Sequence, residues 1–152
     1  MNSIQVYLYD LSMGMAKTLS PMFLGPENTL EMIPHTSIVV FGQEYWFGQG
    51  IQHCAPGYSY HGTPVQVLNF GSTEIPLELF NEWLQTARVK FSDTSYHLLE
   101  LNCNHFTNEA LEFLAGINLP SDIVDLPRKV MSTPLGQMLK PYIDQFFGNN
   151  FC

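Results

Sequence analysis

The hydrophobic period of this chain changes half-way along, and that change restricts the fold more than any single motif. Residues 4–9 set Ile4, Val6 and Leu8 against Gln5, Tyr7 and Tyr9, a two-residue alternation that ends at Asp10. Residues 37–41 are apolar and β-branched, Gly42 and Gln43 interrupt, and residues 44–47 resume, which predicts a hairpin. Residues 65–70 are a further strand candidate before Gly71. Between them, Gly48, Gly50, Pro56, Gly57 and Gly62 punctuate a stretch predicted to be rich in loops. From residue 76 the period becomes helical. Phe80, Trp83, Leu84, Ala87 and Phe91 share one stripe behind Pro76, a residue suited to a first turn. Phe106, Ala110, Phe113 and Leu114 share a second stripe over residues 103–115, with Gly116 as the stop signal. Leu135, Met138, Leu139, Tyr142, Ile143 and Phe146 share a third behind Thr133-Pro134. A short helix is also predicted at residues 20–25, while residues 96–101 read as either strand or extended lead-in. No repeat or linker divides the chain, so the reading is one α+β domain over residues 1–152, with its core at about 4–146.

Composition supports a packed domain and removes several partners. Of 152 residues, 45% are hydrophobic and 13% are charged, which favours a real core over extended disorder. The net charge of −8 argues against nucleic acid or an anionic membrane as the principal partner. No charged leader followed by an apolar stretch opens the chain, and no apolar run has the length of a membrane span. Cys54, Cys103 and Cys152 are odd in number and widely spaced, so no disulfide framework is implied and a reducing, intracellular compartment fits best.

One of these cysteines stands where chemistry is easiest. In Asn102-Cys103-Asn104-His105-Phe106 the thiol falls in the first turn of the second predicted helix, with Asn102 as its N-cap. A free thiol has a pKa near about 8.5, and the positive end of a helix dipole favours its thiolate. A neighbouring imidazolium lowers the value further, into the range of activated cysteines. His35, which opens the strand-like run Thr36-Ser37-Ile38, supplies that imidazole if the strand and helix starts meet. The backbone N–H of Cys103 is a candidate oxyanion donor. The plain alternative is a buried, inert cysteine and a histidine that only hydrogen-bonds a loop. His105 lies two residues from Cys103, points to a different helix face, and reads as a packing or capping residue. His53, His61 and His97 fall in loops or ambiguous segments and carry no clear role. A metal is the rival chemistry, through His53, Cys54 and His61 or through Cys103 and His105. No zinc-ligand spacing, phosphate loop or dinucleotide fingerprint occurs, so neither metal nor cofactor is expected. In Tyr45-Trp46-Phe47, alternation places Trp46 on the face opposite its neighbours.

Taken in order, these segments resemble the PPPDE family of permuted papain-fold peptidases. The resemblance rests on the run Val6 to Leu11, His35 to Val40, Tyr45-Trp46-Phe47-Gly48, Gly71-Ser72-Thr73-Glu74, Asn102 to Phe106, and Asp125-Leu126-Pro127 through Gln137. It covers nearly everything from Ile4 to about Phe146. It implies a circularly permuted papain-like fold, an antiparallel sheet or barrel packed with helices, in which histidine precedes cysteine. By the same resemblance Cys103 is the nucleophile and His35 the general base, then acid. The implied reaction removes SUMO or ubiquitin from lysine side chains of conjugated proteins, without cofactor or metal. A homodimer in cytoplasm and nucleus is implied as well. S-acyl thioester hydrolysis, or an idle protein-interaction module, remains open on the residues alone.

Overall fold

The computed structural model of the protein describes residues 1–11, 17, 34–96 and 101–125. Five strands form one antiparallel sheet: β1 (Asn2–Asp10), β2 (Pro34–Val40), β3 (Gln43–Gly48), β4 (Gly50–Cys54) and β5 (Gln66–Thr73). Their spatial order is β4-β3-β2-β1-β5, so β2 is the middle strand. Helices α1 (Leu77–Lys90), α2 (Cys103–Ala115) and the single turn α3 (Ser121–Val124) follow in sequence. The predicted α+β class, strands first and helices after, holds for these residues. The predicted helices at 20–25 and beyond 133 lie outside the described residues.

Alternation decides which side chains reach the core. Ile4 and Val6 of β1, Ile38 and Val40 of β2, and Tyr45 and Phe47 of β3 pack on one face of the sheet with Phe80, Leu84 and Ala87 of α1 and Phe106, Ala110, Leu111 and Leu114 of α2. Aromatic rings join the layers edge to face: Tyr45 meets Phe80 at 5.2 Å between centroids, Phe47 meets Phe91 at 5.1 Å, and Phe91 meets Phe106 at 5.4 Å. Trp83 bridges the two helices, stacked on Phe80 and on Phe113. The far end of α2 is tied to the sheet by the Thr73 hydroxyl, which donates to the Leu114 carbonyl at 2.6 Å.

Local signals place most boundaries. Pro76 precedes α1, and Gly116 ends α2 in the left-handed conformation with φ 67°. Three details differ from the sequence expectation. The β2–β3 turn sits at Phe41-Gly42, not Gly42-Gln43. Both residues have positive φ (55° and 72°), the mirror-image turn whose twist matches paired strands. Strand β2 begins at Pro34, so His35 lies inside the strand instead of before it. Strand β4 arises in the stretch predicted as loop, because Gly48 and Gly50 pair directly and reverse the chain around Gln49. Two glycines read as loop punctuation are here the corner of a hairpin.

Phe106 is fully buried between the sheet and α1. Its replacement by alanine should cost about 3–5 kcal/mol, read from the urea midpoint. Breaking the exposed Lys90–Glu109 pair (2.7 Å) with Lys90→Ala should cost less than about 1 kcal/mol.

Candidate active site

The start of α2 is over-determined. Asn102 is extended, and its side-chain oxygen accepts from the backbone N–H of Asn104 at 2.9 Å and of His105 at 3.3 Å. His105 reaches back, its Nδ1 accepting the Asn102 N–H at 3.0 Å. This is a capping box with histidine in the place usually held by glutamate or glutamine. An accepting Nδ1 makes His105 a neutral ring with its proton on Nε2, which suits the capping role expected of it and not that of a base. Cys103 is the first residue of the helix, 1% exposed, with no acidic side chain in that turn to offset the dipole.

Asn104 joins this helix start to the strand that carries His35. Its amide donates to the Pro34 carbonyl at 3.1 Å, and its oxygen accepts from the Thr36 hydroxyl at 2.7 Å. The Thr107 hydroxyl adds a third link, lying 3.1 Å from the Thr36 carbonyl and 3.2 Å from that of Cys103. The two residues gripped by Asn104 are therefore the immediate neighbours of His35. The strand start and the helix start are thus joined through side-chain hydrogen bonds.

The His35 ring itself occupies the other face of the sheet. His35 stands opposite Tyr9 across the β1–β2 ladder, with ring centroids 5.5 Å apart. The half-buried His61 stacks on it at 3.7 Å and 21°. His35 is fully buried, and neither ring nitrogen has a hydrogen-bond partner among the described residues. A Cys103–His35 hydrogen bond is thus absent from this arrangement. Burial, and secondarily the charge of His61, holds His35 well below the ordinary imidazole value, so the ring is neutral at physiological pH. Beside it, buried Glu44 accepts from the Tyr9 hydroxyl at 2.6 Å, the Ser37 hydroxyl at 2.5 Å and the Gly57 N–H at 2.9 Å. Burial and the bond to Glu44 raise the Tyr9 phenol far above its usual range, keeping it a donor.

The three cysteines separate by role. Cys54 is a free thiol donating to the Ala55 carbonyl at 3.1 Å, and burial, then Glu44, pushes its pKa up, which favours the unreactive form. The Cys103 sulfur is disulfide-bonded in this structure, so its nucleophilic form is the reduced one. Cys152 lies outside the described residues. Among the described residues no three His, Cys, Asp or Glu side chains converge as a metal site, and no helix is long and apolar enough to cross a membrane. Sequence reasoning missed Asn104, Thr36, Thr107 and Glu44, whose partners lie far away in the chain. It also gave His61 no role, although His61 covers the candidate base.

The chain is similar to known proteins over most of its length. The sequence model of the PPPDE putative peptidase domain matches residues 2–144. Desumoylating isopeptidase 1 of Xenopus laevis is 47% identical over 143 residues, covering 93% of this chain and 83% of that protein. The Homo sapiens protein of the same name is 48% identical over 143 residues, covering 93% and 84%. The DeSI-like protein sdu1 of Schizosaccharomyces pombe is 34% identical over 113 residues, covering 67% and 55%.

Two measurements test this geometry. Asn104→Leu keeps the volume and leaves the Thr36 hydroxyl and Pro34 carbonyl unpaired, so it should cost about 1–3 kcal/mol in chemical denaturation. The second concerns pH. The folded chain does not take up on His35 the proton that the unfolded chain binds below about pH 6.5. The stability due to neutral His35 is therefore complete above that pH and is lost as pH falls toward the depressed folded value. Wild type should lose up to about 1.4 kcal/mol per pH unit more than His35→Phe between pH 6.5 and 5.5. Parallel melting curves for the two proteins across that interval would refute the buried neutral ring.

Proposed function

Because this chain belongs to the PPPDE putative peptidase family, we propose that it is a cysteine isopeptidase that removes SUMO from lysine side chains. The same proposal gives it the permuted papain-like arrangement. The observation that carries it is the Asn104 bridge, which ties the residue next to Cys103 to both neighbours of His35. A strand start and a helix start distant in sequence are held together by buried hydrogen bonds. One bears the base and the other bears the nucleophile.

In the proposed reaction the reduced Cys103 attacks the carbonyl of the modifier's C-terminal glycine, at the isopeptide bond to lysine. Neutral His35 accepts the thiol proton as the sulfur–carbon bond forms. It then gives that proton to the departing lysine amine as the carbon–nitrogen bond breaks. Water attacks the resulting thioester, His35 takes its proton, and the sulfur leaves to be reprotonated as the modifier carboxylate departs. A neutral ring suits this sequence, since each half-reaction begins with proton acceptance. For it to run, the His35 ring must come within hydrogen-bonding reach of the sulfur once Cys103 is reduced. Homodimer formation and a cytoplasmic and nuclear location belong to the same proposal, and light scattering and cell fractionation test them.

The decisive comparison presents reduced wild type and Cys103→Ser with a SUMO conjugate, a ubiquitin conjugate and an S-acylated peptide. SUMO release by wild type, lower by about a thousandfold or more in Cys103→Ser, is expected. Hydrolysis of the acyl peptide alone overturns the isopeptidase reading in favour of a thioesterase, and inertness toward all three favours an interaction module.

A further inference from the structure

A general base in a nucleophile–histidine pair is ordinarily oriented by a third group that accepts a hydrogen bond from its far ring nitrogen. Among the described residues no such acceptor serves His35: both nitrogens are unpartnered inside a fully buried position. The one buried carboxylate among the described residues, Glu44, is committed to Tyr9, Ser37 and the Gly57 N–H. The outer torsion of a histidine side chain is broad and weakly preferred, so a ring without a hydrogen bond needs some other restraint.

That restraint is aromatic. His61 lies nearly parallel to His35, with centroids 3.7 Å apart, the shortest ring contact near the candidate site. His61 is itself held from three sides. Trp46 meets it edge on at 5.7 Å and 89°, Tyr60 lies at 4.3 Å, and Tyr9 lies at 5.5 Å. Its Nδ1 stands 3.2 Å from the Ser59 hydroxyl. A ring fixed in this way gives its neighbour a plane to lie against. We infer that His61 is a positioning residue for His35, holding the base in plane by stacking where other such enzymes use a hydrogen-bonded carboxylate or amide. The inference rests on the proposed pairing of His35 with Cys103.

The test uses the rate of Cys103 alkylation by iodoacetamide at pH 7 in the full, reduced protein, which depends on the pair and on no assumed substrate. Wild type, His35→Ala, His61→Ala and His61→Phe are compared, with melting temperatures confirming that each is folded. Phenylalanine preserves a stacking ring and carries no charge or hydrogen bond. The inference expects His61→Ala to be slower than wild type by about tenfold, a fraction of the loss that misplacing a catalytic group brings. It expects His61→Phe to be at least as fast as wild type. Equal rates for His61→Ala and wild type overturn it. So does a His61→Phe protein as slow as His61→Ala, since stacking would then not be the cause. If His35→Ala alkylates as fast as wild type, the pairing itself fails, and the proposed function falls with it. That result is distinct from a pair that works without help from His61.

Discussion

One buried amide holds the candidate site together. Asn104 offers a donor and an acceptor on the same side chain, and the strand presents the complement, a carbonyl and a hydroxyl, on either side of His35. An aspartate lacks the donor, and a leucine lacks both. Inside the protein these bonds gain strength from the low dielectric, and losing either leaves a polar atom stranded. The capping box then fixes the helix relative to Asn104, and the antiparallel ladder fixes the strand relative to Pro34 and Thr36. Any shift of the sulfur-bearing residue against the imidazole-bearing one therefore strains this side chain, together with the Thr107–Thr36 link.

The sheet divides its labour by face. One face is dry and aromatic and binds the helices. The other carries Tyr9, His35, Ser37, Glu44 and Trp46, polar or amphipathic groups that are nonetheless buried. Burial of polar atoms is tolerated when hydrogen bonds replace water, and Glu44 meets that requirement through three donors. The exceptions are informative because they gather. Both nitrogens of His35 and the indole nitrogen of Trp46 lack partners among the described residues, and both residues touch His61. Unsatisfied groups concentrated at one spot mark the place where local stability is given up, which is where function is expected.

What was legible in the sequence is what local chemistry determines. Cys103–Ala115 reads directly as a helix from its apolar stripe, its asparagine cap and its glycine stop. His105 reads as a cap because its distance from Cys103 forbids a shared helix face. The alternation of β1 and the opposite orientation of Trp46 follow from a period of two. The rest was hidden because it depends on distant pairing. Nothing near Asn104 announces that its partners lie some seventy residues earlier. Strand β4 has weak strand chemistry of its own and forms because β3 offers a ladder. Likewise, His61 looks like any loop histidine until the sheet places Tyr9, His35 and Trp46 beneath it. Family resemblance supplied the roles of His35 and Cys103, but not the stacking partner.

The order of the segments has a consequence for the chain as it is made. The imidazole, its strand and the loop that covers it all leave the ribosome before the thiol does. The β2–β3–β4 meander has short-range pairings and needs nothing from α2 to form its ladder. A nascent or prematurely terminated chain that stops short of Asn102 thus carries His35 without Cys103 or the amide clamp. Such fragments lack the proposed pair, which arrives only with the helix that completes the core.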